Sequence, residues 1–94
     1  MSSGQWVVYL VRCADHSLYC GVTNNIEGRL AAHNAGKGAK YTKSRLPVKL
    51  ECTSPKMSKS EAFSLEYKIK RLPARRKTMV LAFLNTVVID DQGT

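Results

Sequence analysis

The sequence predicts a small α/β domain in which helices flank a three-stranded, mainly antiparallel sheet, in the order β-β-α-β-α-α. Three observations predict it: an N-terminal hairpin pattern, two helix starts with capping residues, and a short strand bounded by prolines. The 94 residues are expected to form one domain, with a core from about residue 6 to residue 88. A chain of this length can bury one hydrophobic core without disulfides or metals.

The first two strands are predicted as a hairpin. Residues 6–13, WVVYLVRC, are rich in β-branched and aromatic side chains, and residues 18–22 follow the turn-type sequence ADHS. Tyr9 and Tyr19 lie on opposite arms, so the faces they occupy depend on the turn. A three-residue loop or a bulge around Asp15 to Ser17 would align them on one face. Packing of both rings on the core is the alternative.

The first helix is predicted to start at Asn24, a good N-cap residue with Glu27 three positions later, and to run to about Ala35. Ile26 and Leu30 would form its buried stripe. This places a helix directly after the hairpin.

A loop and a third strand follow. Gly36 is expected to stop the first helix, and residues 36–46, GKGAKYTKSRL, have the glycines and lysines of a loop. Pro47 permits an edge strand over about residues 48–53, which Pro55 ends.

The second helix is predicted to start at a capping box formed by Ser58 and Glu61 and to end before Pro73. Helical spacing predicts a stripe of apolar positions on one side of it. These positions are Ala62, Leu65, Ile69 and Leu72.

A third helix is predicted from Arg75 to about Val88. Its apolar run VLAFLNTVVI is too short and broken to span a bilayer, and the N-terminus lacks a signal-peptide pattern. We therefore expect a protein that is neither membrane-bound nor secreted, located in the cytoplasm, with the nucleoid or, in a eukaryote, the nucleus as the place of action. The expected core positions of this third helix are Val80, Leu81, Phe83 and Leu84.

The charge distribution indicates a polyanionic partner. The formal net charge is +8, and fourteen of the fifteen Lys and Arg residues lie between Arg29 and Lys77. Such a basic segment is typical of nucleic-acid binding, because neutralising phosphates releases condensed counterions. Plain solubility is the alternative. The three cysteines fit no zinc spacing and are expected to be buried, reduced thiols.

Three polar residues lie where a purely structural helix would not need them. Arg29 and His33 are one turn apart beside the buried stripe of the first helix, so they should face the sheet. Glu66 lies among apolar positions of the second helix, where an unpaired carboxylate is costly. The alternatives are a surface ion pair for Arg29, a half-buried His33 with its ring nitrogens hydrogen-bonded, and an i,i+4 pair of Glu66 with Lys70. A carboxylate held for a hard cation is the functional interpretation of Glu66.

The segment VVYLVRCADHSLYCGVTNNIEGRLAAHNAGKGAKYT resembles the start of a GIY-YIG domain. The two signature words appear as Val8-Tyr9-Leu10 and Tyr19-Cys20-Gly21, followed by the helix with arginine then histidine and by SLEYKIKRL with Glu66. The resemblance covers roughly residues 6–85. It is greatest to the small stand-alone GIY-YIG proteins and extends to the catalytic domains of structure-specific endonucleases.

The resemblance implies a metal-dependent nuclease that hydrolyses phosphodiesters. Tyr9 and Tyr19 would line the site, with Tyr9 the better candidate to deprotonate or orient the attacking water. Arg29 would hold the scissile phosphate, and His33 would assist proton transfer or position the water. Glu66 would be the protein carboxylate that binds Mg²⁺ or Mn²⁺, because Mg²⁺ often needs few protein ligands.

The resemblance also has departures. The first word is VYL rather than GIY, and Cys20 occupies the middle of the second, but the tyrosines that carry the proposed chemistry are present. Asn85 is a possible match to a late asparagine found in some members. With no second domain to recognise a target, we expect a monomer with structure preference or weak sequence specificity, or an unidentified subunit that supplies targeting.

Phosphate contacts are expected from the loop and from the basic residues between 68 and 77, and such contacts do not recognise base sequence. Tyr41 could stack on an unpaired base, with loop packing as the alternative. The predicted partner is nucleic acid, DNA first and RNA second. A non-catalytic nucleic-acid-binding module and a small structural protein are the competing function classes. The expected loop contacts are Lys37, Lys40, Tyr41, Lys43 and Arg45.

Overall fold

The observed fold has the predicted order of elements, with one short helix added. In the computed structural model the backbone is described for residues 4–93 and the side chains for residues 4–84. The elements are β1 (Val7–Arg12), β2 (Leu18–Thr23), α1 (Ile26–Asn34), α2 (Lys40–Lys43), β3 (Lys49–Thr53), α3 (Lys59–Lys70) and α4 (Ala74–Gly93).

The three strands form one antiparallel sheet in the order β2-β1-β3, which confirms the predicted fold class. β1 is the central strand, and five of its six residues are buried. Apolar side chains cover both of its faces, which explains why the run VVYLV shows no alternation of polar and apolar residues.

The sheet separates two hydrophobic clusters. Alternate residues of β1 point to opposite faces, so Val8 and Leu10 belong to one cluster and Tyr9 and Val11 to the other. The first cluster is completed by Cys20, Ala62, Ile69 and Leu81, from β2, α3 and α4. The second is completed by Cys13 and Val48, with Ile26 and Leu30 of α1 packed against it. Tyr9 therefore faces α1.

The hairpin has the three-residue loop that aligns the two tyrosines. The Cys13 N–H donates to the Ser17 carbonyl at 2.8 Å, and His16 adopts a left-handed conformation with φ 71°. Tyr9 pairs with Gly21, two positions from Tyr19, so both tyrosines occupy the same face of the sheet. The alignment expected for a three-residue loop is confirmed.

The start of α1 corrects the predicted cap by one residue. Asn25, not Asn24, is the N-cap, and its Oδ1 accepts the Gly28 N–H at 3.1 Å. Thr23 Oγ1 accepts the Asn25 N–H at 3.1 Å, so the residue between them forms the turn out of β2. The helix ends as predicted, with Gly36 at φ 78° just beyond it.

The segment predicted as a loop contains the single-turn helix α2. Four residues are too few to produce a helical period in the sequence, so pattern alone could not identify it. Its Thr42 is fully buried. Asn34, the last residue of α1, binds both backbone groups of Val48, at 2.7 Å and 3.0 Å, and so fixes α1 against the start of β3.

The last two helices form as predicted, but the bounds of α4 and one core position differ. Ser58 and Glu61 form the capping box of α3, and α4 runs from Ala74 to Gly93 rather than from Arg75 to about Val88. Leu81 is fully buried, whereas Phe83 is 65% exposed, so its assignment to the core is wrong. Two positions along a helix differ by about 200°, which places these side chains on opposite faces. Side chains beyond residue 84, including that of Asn85, lie outside the described residues.

Two further expectations concern the whole chain. Within residues 4–93, every helix falls short of the length and apolar character needed to cross a membrane. The three cysteines are unpaired, and Cys13 and Cys20 are buried as expected, whereas Cys52 is half-buried.

Candidate functional site

The candidate site is built around the phenol of Tyr9. Tyr9 is 1% exposed and its ring lies over Gly21 of the neighbouring strand. A Cβ added to Gly21 would lie 2.4 Å from Tyr9 Oη, so a larger residue would displace the ring. Glycine in a strand interior often marks such a close approach, and here it lets the phenol reach α1.

Two side chains of α1 bind the phenol oxygen. His33 Nε2 lies 2.8 Å from Tyr9 Oη, and Arg29 Nε donates to the same oxygen at 3.3 Å. Both side chains face the sheet, as their position beside the buried stripe predicted. His33 is fully buried, whereas Arg29 is partly exposed. The guanidinium is therefore the member of this trio that a phosphate arriving from solvent can reach.

Tyr19 completes an aromatic group on the same face. Its ring centroid is 6.4 Å from that of Tyr9 and 5.5 Å from that of His33. Its other neighbour is Tyr41 of α2, stacked at 5.8 Å with 27° between the planes. The structure thus brings together four of the five predicted site residues, Tyr9, Tyr19, Arg29 and His33.

The far nitrogen of His33 is held by α2. His33 Nδ1 lies 2.9 Å from Thr42 Oγ1, which in turn lies 2.9 Å from the carbonyl oxygen of Ala39. A Cβ on Gly38 would lie 2.3 Å from His33 Nδ1, so this segment passes close against the imidazole. Sequence reasoning did not single out Thr42, Gly38 or Gly21. The glycines alone left a signal, since each interrupts a strand or precedes a helix.

Burial and the arginine set the protonation of the trio. Burial raises the pKa of Tyr9, and the hydrogen bond from Arg29 opposes this in part. Burial, together with the nearby Arg29 charge, lowers the pKa of His33. The bond to Tyr9 raises the pKa of Arg29. At neutral pH the group therefore consists of a neutral phenol, a neutral imidazole and a charged guanidinium.

Glu66 lies on α3, whose Ala62 and Ile69 pack with Val8 and Leu10 on the face of the sheet opposite Tyr9. Its Oε2 is 3.2 Å from Lys70 Nζ, and its side chain is 17% exposed. The i,i+4 ion pair weighed as its structural alternative is thus present. Glu66 makes no hydrogen bond to the other four residues in the described part of the chain. Its connection to them is Lys70, whose Nζ lies 6.0 Å from the centre of the Tyr19 ring.

Glu66 is the carboxylate predicted to hold a cation. Among residues 4–84, no group of three or more His, Cys, Asp or Glu side chains is arranged to hold a metal ion. Glu66, whose side chain is 17% exposed and ion-paired with Lys70, is the carboxylate predicted as the ligand. One carboxylate oxygen fits the chemistry of Mg²⁺, which keeps several waters and completes its shell with substrate phosphate.

The basic residues around α2 are of two kinds, exposed lysines and an arginine that binds other residues of the protein. Lys37, Lys40 and Lys43 are exposed. Arg45 instead donates to Asp15 at 2.9 Å and to the Tyr41 carbonyl at 2.8 Å, and its guanidinium lies 3.9 Å from the centre of the Tyr41 ring. Both Tyr41 and Arg45 are therefore used for packing in this structure. The three exposed lysines remain the predicted contacts to phosphate.

The fold and the site together define a class of protein. It is a small three-stranded α/β domain in which a histidine and an arginine bind a buried tyrosine. The GIY-YIG catalytic domain family matches residues 5–79, a range that includes all five predicted site residues. The chain belongs to the GIY-YIG family, which confirms the resemblance found in its sequence.

Relatives from bacteria align over most of the chain. The UPF0213 protein of Nitratidesulfovibrio vulgaris is 53% identical over 77 residues, which are 82% of this chain and 70% of that protein. The UPF0213 protein of Staphylococcus haemolyticus is 53% identical over 74 residues, 79% of this chain and 90% of that protein. The solution NMR structure of a Bacillus halodurans UPF0213 protein is 39% identical, with TM-score 0.49, covering 88% of this chain and 85% of that one.

Proposed function

We propose that the protein is a divalent-metal-dependent endonuclease that hydrolyses phosphodiester bonds in DNA, with structure preference or weak sequence specificity, in the cytoplasm. The observation that carries the proposal is the hydrogen-bonded series from Arg29 through Tyr9 to His33. It joins a group that binds phosphate, a group that can take a proton from water, and a buried neutral base. Membership of the GIY-YIG family supports it.

The contacts of Tyr9 support a path for the proton in this proposal. A water oxygen attacks phosphorus and the bond from phosphorus to the leaving oxygen breaks. As the water loses its proton to Tyr9 Oη, Tyr9 passes its own proton to His33 Nε2, 2.8 Å away. The phenol never has to exist as a free phenolate at neutral pH, which its raised pKa would disfavour.

In this proposal Arg29 changes its hydrogen-bond partner from Tyr9 to the phosphate when the substrate binds. In the free protein it donates to Tyr9 Oη through a long bond of 3.3 Å. When a phosphate enters, the guanidinium binds a non-bridging oxygen that carries negative charge, and this bond is stronger than the one to the neutral phenol. Transfer of Arg29 to the phosphate frees a lone pair of Tyr9 Oη for the attacking water. Substrate binding thus prepares the base.

Glu66 would hold the cation. A divalent ion bound there supplies polarisation of the phosphoryl oxygen and stabilisation of the leaving oxyanion. Because Lys70 already binds Glu66 Oε2, the cation would share this carboxylate with the ammonium or displace it.

The test is incubation of the protein with branched, flapped and linear DNA in Mg²⁺ or Mn²⁺. We expect products that EDTA abolishes. Glu66→Gln should lose cleavage, whereas Glu27→Gln, which changes an exposed carboxylate of α1, should cut like the wild type. If folded Glu66→Gln cuts as well as the wild type, the metal site is wrong.

A non-catalytic nucleic-acid-binding module is the second candidate. The ion pair of Glu66 with Lys70 favours it, because a carboxylate already neutralised by an ammonium has less need of a cation. Salt-sensitive binding to DNA or RNA, without products for any metal or substrate, would select this alternative.

A further inference from the structure

We propose that Thr42 is a positioning residue that fixes the Nδ1–H tautomer of His33, so that Nε2 is the proton acceptor facing Tyr9. The inference rests on the proposed function, in which His33 takes the proton of Tyr9. It concerns a residue outside the five site positions and a contact between α1 and α2. It follows from counting protons along one buried series of hydrogen bonds.

The series has five groups and four donor protons. Its members, in order, are the Ala39 carbonyl, the Thr42 hydroxyl, the His33 ring, the Tyr9 hydroxyl and the Arg29 Nε–H group. The two ends have fixed roles, because a carbonyl accepts and a guanidinium donates. The neutral ring has one donor and one acceptor nitrogen, so its direction depends on its neighbours.

One assignment satisfies every proton. Thr42 Oγ1 donates to the Ala39 carbonyl and accepts from His33 Nδ1–H. His33 Nε2 is then bare and accepts from Tyr9 O–H, while Tyr9 Oη accepts from Arg29 Nε–H. All four donors run in one direction, from Arg29 Nε–H at one end to the carbonyl of Ala39 at the other.

The reverse assignment leaves a proton unpaired. If Thr42 donated to His33 Nδ1, then Nε2–H and Arg29 Nε–H would both donate to Tyr9 Oη. The Tyr9 proton would then need another acceptor, and within the described residues Tyr9 Oη has no third hydrogen-bond partner. In the free protein, where Arg29 covers the oxygen, the Tyr9 side chain is 1% exposed and so is also withdrawn from water. A buried unsatisfied hydroxyl is costly, which selects the first assignment.

The surroundings keep the ring neutral, as the tautomer requires. The charged or titratable groups that face His33 are Arg29 on α1, Tyr9 on β1 and Tyr19 on β2. Thr42, the contact from α2, is neutral and fully buried. Arg29 and burial both disfavour imidazolium. The Thr42 hydroxyl accepts the Nδ1 proton, and without it that proton would be buried with no acceptor among the described residues.

The tautomer can be read directly by ¹⁵N NMR of the imidazole nitrogens at neutral pH. The chain has two histidines, so His16→Asn assigns the signals, and asparagine tolerates the left-handed backbone of that turn. We expect the proton on Nδ1 of His33 in the wild type. A proton on Nε2 would overturn the inference, and this measurement needs neither a Thr42 variant nor nuclease activity.

Two variants link the tautomer to the reaction. Thr42→Val keeps the shape but removes the hydroxyl, and should shift the ring proton towards Nε2 and lower the cleavage rate by at least about tenfold with unchanged DNA affinity. Thr42→Ser keeps the hydroxyl and should preserve tautomer and rate. A Thr42→Val protein that keeps both, or a Thr42→Ser protein that loses both, contradicts the inference. A folded wild type with Nδ1–H but no products would instead overturn the proposed function.

Discussion

At the scale of single residues, the site depends on three neighbours of Tyr9 that set the position of its ring and the hydrogen bonds of its hydroxyl. Gly21 leaves room for its ring, His33 binds its hydroxyl, and Arg29 covers its oxygen with a charged group. Each contact crosses from one element to another, so no local pattern encodes it. Spacing predicted that Arg29 and His33 face the sheet, but their common target on Tyr9 required the fold.

The pH dependence of cleavage tests this arrangement. In the proposed relay neutral His33 is the proton acceptor, and its pKa lies below the ordinary value of about 6.5. The rate should therefore rise with pH on the acid side and reach a plateau before about pH 7. Tyr9, whose pKa is raised, should add no inflection near neutrality.

The measurement is a single-turnover cleavage rate at saturating metal from about pH 5 to pH 9. A rate that continued to climb about tenfold per pH unit above pH 7 would contradict the relay, because it would indicate a reaction through free phenolate or hydroxide. His33→Asn should remove the acid-side inflection along with most of the rate.

At the scale of elements, each helix has a distinct role in positioning the site. α1 supplies two side chains to Tyr9, α2 holds the far side of His33, and α3 carries Glu66 beside β2. The capping box of α3 fixes where that helix begins, with Ser58 Oγ accepting from Glu61 N–H at 3.1 Å and Glu61 Oε1 accepting from Ser58 N–H at 2.9 Å.

Removing this cap should destabilise the protein measurably. Ser58→Ala loses the cap hydrogen bond, which is worth about 1 kcal/mol, and in a domain of this size that lowers Tm by about 4–8 °C. Thermal unfolding followed by circular dichroism measures it. The matched control is Ser64→Ala in the exposed interior of α3, where alanine favours the helix and Tm should not fall. An unchanged Tm for Ser58→Ala would show that the cap is dispensable.

The sequence predicted elements better than contacts. Hairpin, capping box and glycine stop are local signals, and each is found where expected. α2 was missed because one turn has no period, and Phe83 was misplaced because a nearly continuous apolar run does not reveal which face is buried. Thr42 was beyond reach for a different reason: its role lies in a hydrogen bond to a residue nine positions away.

At the scale of the whole molecule, charge and site lie side by side. α2, which holds His33 through Thr42, also presents Lys40 and Lys43 to solvent, and Lys37 precedes it. Phosphate contacts from these lysines would guide a nucleic-acid backbone towards Arg29. Contacts of this kind are electrostatic and independent of base sequence, which fits structure preference rather than site-specific cutting.

Salt dependence of binding tests this placement. Changing Lys40 and Lys43 together to Gln should reduce the slope of log affinity against log salt by about 2, close to one unit for each phosphate that is no longer neutralised. Fluorescence anisotropy on a labelled branched DNA measures the slope. Lys56 and Lys59 are exposed lysines outside α2, with Lys59 Nζ 5.3 Å from the centre of the Trp6 ring, and they provide a matched double Gln control that should keep the wild-type slope. Equal reductions in both double variants would mean that binding is diffuse.

The most direct measurement is the single-turnover cleavage rate of Tyr9→Phe beside wild type, on the best DNA substrate with Mg²⁺. The variant keeps the buried ring and loses the oxygen that joins Arg29 to His33. We predict a rate at least about 100-fold lower with unchanged DNA affinity, and a wild-type rate for Tyr67→Phe, an exposed tyrosine of α3. A folded Tyr9→Phe protein that cuts as fast as the wild type would contradict the account.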